Sequence, residues 1–146
     1  MSICEKREHV RGRSYPNPEE ARDAEELTFY AGFAVDDVAK AREFYGQTLG
    51  VQVMELGSDL LSLQGGNGYA VLIYPKDTHE PAEHTILNFP VDDIEAAVDE
   101  LRSAGIEFEQ YDEGPLATDE KGIATPGPKQ AWFKDPAGNI LSVIEG

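Results

Sequence analysis

Three histidines, one cysteine and two pairs of adjacent aspartates are the residues of this chain whose types invite chemistry, and their spacing is poor for most of it. His9 stands in a charged N-terminal stretch, His79 in a loop and His84 at the head of an alternating run, so no facial triad of two His and one carboxylate can be assembled from them. Cys4 has no defined base beside it, which argues against a nucleophilic thiolate. As the only cysteine it cannot form an internal disulfide either. Gly65-Gly66-Asn67-Gly68 lies between two strand-like runs and lacks a following helix or Lys, so it reads as a hairpin turn rather than a phosphate cradle. His84 is left as the side chain best suited to general-base work, because histidine titrates close to neutrality.

The aspartate pairs belong to the scaffold. Val35-Asp36-Asp37 and Val91-Asp92-Asp93 each close an alternating apolar run and open a helical one, where Asp serves as an N-cap. The stretches from Ala34 to Val53 and from Pro90 to Phe108 superpose over Val, Asp, Asp and an Ala, and after a one-residue deletion Gly50 meets Gly105. Two copies are too few for a solenoid, so the chain reads as one pseudo-symmetric domain. In the first copy Leu27, Phe29, Ala31, Phe33 and Val35 alternate as a half-buried strand. A helix follows with Val38, Ala41, Phe44, Tyr45 and Leu49 on one stripe and stops at Gly50. Strands are expected at 51–56, 59–64 and 69–74. In the second copy Thr85, Leu87, Phe89 and Val91 form the helix-facing side of a strand, and Asp92 with Glu95 makes a capping pair for a helix ending at Gly105. Strands are expected at 106–111, 130–134 and 139–144, the last two joined by Asp135-Pro136-Ala137-Gly138. The fold class is α+β, with the order βαβββ twice. Residues 1–26 read as a charged tail, 27–80 and 81–146 as the two modules, and 112–129 as a loop of the length typical of lids.

The chain has 146 residues, enough for one domain with a proper core. Its 28 acidic and 12 basic residues give a formal charge of -16, which repels nucleic acid and anionic membranes. Nothing resembles an apolar signal core or a spanning segment, so a soluble, cytoplasmic protein is expected. An acidic surface of this kind is compatible with a cationic ligand.

Val-Asp-Asp ahead of a helix carrying Phe44-Tyr45 and Leu49-Gly50, followed much later by Trp132 to Val143 (WFKDPAGNILSV), resembles the glyoxalase, bleomycin-resistance and extradiol-dioxygenase (vicinal oxygen chelate) superfamily. The most specific piece is Asp135-Pro136-Ala137-Gly138-Asn139, matching the D-P-x-G-N turn of that family. The resemblance implies two βαβββ modules curving a mixed sheet around a central cleft, with the strand faces turned away from the helices as its walls. Metal-using members place four ligands there. Counting from the motifs puts those positions at Tyr30, Leu72, Ile86 and Ser142, none of which is the His or Glu such a site needs. No metal and no cofactor are therefore expected.

With that cleft in place, strand parity turns Thr28, Tyr30, Gly32 and Ala34, then His84, Ile86 and Asn88, and from the outer strands Leu72, Tyr74, Ile140 and Ser142 toward it. The expected ligand-binding residues are Tyr30, Leu72, Tyr74, His84, Ile86, Asn88, Trp132 and Ser142, with either Trp132 or Phe133 as a stacking wall. Three readings follow. One is a metal-independent binding protein of the bleomycin-resistance type, holding an aromatic or cationic small molecule between the modules. Another is an enzyme of the superfamily (lyase, isomerase or dioxygenase-like) with an atypical or absent metal site, His84 and Tyr30 serving as base and acid. The third is a structural or regulatory module with a filled cleft. A homodimer is expected, clasped by residues 1–26.

Overall fold

The structure is a computed structural model that describes residues 27–125 and 127–146; the charged N-terminal segment, with Cys4 and His9, lies outside the described residues. The compact unit begins at Ala31. Its first module runs β1 (Ala31–Val35), α1 (Val38–Glu43), a π-helical turn (Phe44–Thr48), β2 (Gln52–Leu56), β3 (Leu60–Gln64) and β4 (Ala70–Pro75). The second runs β5 (Thr85–Val91), α2 (Ile94–Ser103), β6 (Ile123–Ala124), β7 (Gln130–Lys134) and β8 (Ile140–Glu145). Each module forms a separate four-stranded mixed sheet, ordered β1-β4-β3-β2 and β5-β8-β7-β6. The first and last strands of each module pair in parallel and the rest antiparallel. The α+β class and the twofold βαβββ plan are thus as the repeat implies.

The caps explain why the repeat appears where it does. Asp37 accepts from the amide of Lys40 at 3.1 Å and Asp93 from that of Ala96 at 3.2 Å, so the second aspartate of each pair starts its helix. The expected Asp92–Glu95 pairing is not the one used. A carboxylate from the far end of the chain takes the remaining role, Glu145 Oε2 accepting from the amide of Ile94 at 3.0 Å. Both copies leave the helix through a glycine at positive φ, Gly50 at 75° and Gly105 at 98°, a backbone state that other residues enter at a cost.

Two strands differ from their expected extent. Leu27 and Phe29 continue the alternation of β1 on paper, yet they are 86% and 93% exposed and lie ahead of the strand. Periodicity alone did not bury them, because the parallel partner β4 meets the chain only from Ala31, opposite Val71. Residues 106–111 form only a single bridge, Phe108 to Phe133, in place of a strand.

One apolar core serves both modules. Val35, Tyr45, Leu61, Ile73, Ile94, Val98, Phe133 and Leu141 are all buried in it, along the helix-facing sides of the strands. Phe44, Tyr45, Phe108 and Phe133 stack through it with ring centroids 5.1–6.4 Å apart. At its centre a polar contact joins the modules. The Tyr45 hydroxyl donates to Asp135 Oδ2 at 2.7 Å, and Asp135 also accepts from the amides of Ala137 and Asn139 and from the Asn139 side chain. Asn139 Nδ2 in turn donates to the carbonyl of Ala34 at 3.0 Å.

Burial, and then the Asp135 charge and hydrogen bond, push the Tyr45 hydroxyl far above the ordinary tyrosine pKa of 10.0. The folded protein therefore keeps a proton that the unfolded chain releases above that pH. Stability attributable to Tyr45 is complete below pH 10 and falls as pH rises beyond it, by about 1.4 kcal/mol per pH unit. Unfolding free energies from urea denaturation should begin to fall near pH 10, approach that slope above it, and lose this component in Tyr45→Phe. Asp135→Ala, which strands the Tyr45 hydroxyl and three N–H donors in the interior, is expected to cost about 3–5 kcal/mol in urea denaturation at neutral pH.

Candidate functional site

The sheet faces turned away from the core are open, and on the second module that face carries a pocket. Register places Trp132 opposite Ser142 on the open side, while its neighbour Phe133, opposite Leu141, points into the core. Of the two aromatics, Trp132 is therefore the one on the open side. The indole is only 4% exposed, and its Nε1 donates to Thr85 Oγ1 at 3.1 Å. Tyr111 meets it edge-on, with ring centroids 5.6 Å apart at 67°.

Trp132 and Tyr111 line a cavity of about 510 Å³ together with Glu83, His84, Thr85, Glu113, Pro115, Leu116 and Ile140. That volume is in the range of small-molecule sites, as is an apolar wall with a few polar groups. Burial is the main reason the Tyr111 hydroxyl is held above its ordinary pKa; the Glu109 charge adds to the shift and Lys134 opposes it, so the group remains a neutral donor. The segment beyond Tyr111 is tied down rather than loose. Tyr111 and Thr118 exchange hydrogen bonds of 2.8 and 2.9 Å, and Asp119 Oδ1 accepts from the amides of Lys121 and Ile123. Lys121 pairs with Glu95 and Asp99 on α2 at 3.0 and 2.9 Å. The stretch carrying Glu113, Pro115 and Leu116 is thereby presented at the mouth, Leu116 being 52% exposed.

Of the eight residues expected to bind ligand, the pocket gathers His84 and Trp132. Asn88 and Ser142 lie farther along the same face, where the Ser142 hydroxyl donates to Asn88 Oδ1 and accepts from Gln130 Nε2 at 3.0 Å. Leu72 and Tyr74 occupy the open face of the first module, across from Gly32 and Ala34. Tyr30 is exposed and precedes β1. Ile86 is a correction. A β-bulge between Thr85 and Leu87 makes Ile86 the extra residue; it packs against the core, and Thr85 takes the open side opposite Ile140. The lining of this cavity comes entirely from the second module.

Thr85, Tyr111, Glu83, Glu113 and Leu116 were not foreseen. The bulge hid Thr85, because alternation read through it assigns the wrong face. The long glycine- and proline-containing loop was the available signal for Glu113 and Leu116.

The positions at which metal-using relatives would place ligands do not fit an ion. Leu72 and Ile86 have no donor atom, and the Ser142 hydroxyl is fully buried and shared between two amides. Among the described residues no group of three or more His, Cys, Asp or Glu side chains is arranged to hold a metal. No helix among them is long and apolar enough to cross a membrane.

Two open βαβββ sheets over a common core define the class, and residues 28–143 match the family model described as Glyoxalase/Bleomycin resistance protein/Dioxygenase superfamily. The chain belongs to that superfamily. No curated protein matches it. Among solved structures, a glyoxalase family protein from Enterococcus faecalis is similar at 25% identity and a TM-score of 0.60, covering 82% of this chain and 97% of that one. An antibiotic binding protein from Streptomyces sp. CB03234 is similar at 24% identity and a TM-score of 0.58, covering 82% and 96%. A lactoylglutathione lyase from Agrobacterium tumefaciens aligns at 24% identity and a TM-score of 0.55, covering 82% and 93%.

The Trp132–Thr85 bond ties the pocket wall to the bulge. Thr85→Val leaves the indole N–H without that partner and is expected to cost about 1–2 kcal/mol, read from urea unfolding followed by Trp fluorescence. With one tryptophan in the chain, that signal reports on the pocket alone.

Proposed function

We propose that this protein binds a small aromatic molecule, without a metal ion, in the pocket walled by Trp132 and Tyr111. The observation that carries the reading is the cavity itself. Its buried indole packs edge-on against a phenol ring, its aliphatic lining is Ile140, Pro115 and Leu116, and Glu83, His84, Thr85, Tyr111 and Glu113 bring the hydrogen-bonding groups. Such a site holds a flat apolar body and orients it through one or two polar contacts, here with His84 and the Tyr111 hydroxyl as the available partners. Among the described residues no group of three or more His, Cys, Asp or Glu side chains is arranged to hold an ion, which supports a metal-free mode of binding. The similar antibiotic binding protein shares the fold, and an antibiotic-like aromatic is a reasonable first class of ligand to screen.

We also propose that the chain pairs with a second copy. Met54, Leu56 and Tyr74, each at least 40% exposed, lie on the open face of the first module's sheet, where a partner would cover them.

A thermal-shift screen of aromatic metabolites and antibiotics, with hits confirmed by Trp fluorescence titration, tests the binding reading; a ligand at about 100 times its Kd stabilises the fold by about 2.7 kcal/mol. Trp132→Ala should abolish the binding of any hit, and metal chelation should leave it unchanged. Hits insensitive to Trp132→Ala, or lost on chelation, would overturn the reading. Sedimentation of the intact protein tests the dimer, and a monomer at all concentrations would refute it.

A further inference from the structure

The rim of the Trp132 pocket has a charge character that the apolar walls do not explain. Glu83 and Glu113 reach the cavity from opposite directions in the chain, one ahead of β5 and one from the loop after Tyr111, and no Lys or Arg is among the lining residues. Two carboxylates therefore face a space whose floor is a tryptophan and whose wall is a tyrosine. The electron-rich face of an aromatic ring attracts cations, most strongly for Trp and Tyr when the cation is partly desolvated. Carboxylates at the mouth add attraction for the same charge and repel an anion, and a net charge of -16 extends that bias into the approach of the ligand. Both carboxylates are solvent-exposed, so their part is mainly one of selection and steering, with the rings supplying contact.

We propose that the ligand of this pocket is an organic cation, an aromatic or aliphatic body carrying an ammonium or similar positively charged group. The charged group lies at the Tyr111 ring and between Glu83 and Glu113, while the apolar body rests on Ile140 and Leu116. His84 and Tyr111 are the remaining titratable groups of the lining, and His84 stands next to Glu83 in sequence. The inference rests on the small-molecule reading of the same pocket and names its ligand class.

Calorimetric titration with three probes of one ring system separates the two: tryptamine as the cation, tryptophol as the neutral analogue and indole-3-propionate as the anion. The expected result is binding of tryptamine about tenfold tighter than tryptophol, with the anion weakest. That preference should shrink to about threefold or less in the Glu83→Gln/Glu113→Gln variant, whose folding is checked by its unfolding curve, and should weaken in about 0.5 M NaCl. Equal binding of all three probes overturns the cation assignment and leaves the binding pocket standing. Tighter binding of the anion overturns it also. Binding of none of the three, with neutral ligands found in the wider screen, rejects the cation class; an empty wider screen rejects the small-molecule reading itself.

Discussion

Asp135 is the group on which the rest of the molecule depends. Its carboxylate is buried in the core, and a charge there is tolerable only because Tyr45, Ala137 and both donors of Asn139 satisfy it. Those partners come from three places: the π-helical turn of the first module, the β7–β8 hairpin of the second, and, through Asn139, the carbonyl of Ala34 in β1. One side chain thus fixes the final hairpin against the first module's helix. The geometry of that hairpin matters because β7 carries Trp132 and β8 carries Ile140 and Ser142. Gly138 completes the turn at φ 87°, where an added Cβ would also stand 3.1 Å from Pro81, so the hairpin and the inter-module connection constrain each other.

Each strand divides its side chains between two environments, and the division produces both stability and site. Leu61, Leu63, Ile73, Phe133, Leu141 and Val143 go to the shared core. The other faces have no second layer within the described residues, so what they carry meets solvent or ligand. On the second module the segment from Tyr111 to Leu116 partly roofs that face and turns a sheet surface into a cavity. The first module has no comparable loop between its strands, its β2–β3 and β3–β4 connections being short, and its open face leaves Met54, Leu56 and Tyr74 exposed. The asymmetry of two nearly equivalent modules therefore comes from one long connection.

The sequence made the fold legible because the fold depends on features that recur at fixed spacing: alternation, helix stripes, caps at Asp37 and Asp93, and glycines that end the helices. The D-P-A-G-N turn was legible for the same reason, since Asp135, Gly138 and Asn139 are demanded by the local backbone. The site was less so. His84 and Trp132 both line the cavity, yet the bulge at Ile86 reversed the parity on which Thr85 and Ile86 were assigned, and a bulge leaves no periodic mark in one sequence. Tyr111, Glu113 and Leu116 reach the pocket through a loop course set by contacts such as Lys121 with α2, which no periodicity encodes. The alternation of Leu27 and Phe29 shows the converse error, a pattern that continues past the point where a partner strand is there to use it.

The polar groups on the second module's open face satisfy one another across three strands. Ser142 sits where a donor to an ion would be expected, and its hydroxyl is fully buried, so left unpaired it would cost about 1–3 kcal/mol. Asn88 and Gln130 remove that cost by closing a ring of three contacts around it, the Gln130 amide reaching both Ser142 and Asn88. The three side chains lie on adjacent strands, so the ring also locks β5, β8 and β7 in register beside the pocket. A network with all its members satisfied is rigid, and rigidity is what an aromatic wall needs if a ligand is to stack on it without first paying to order it.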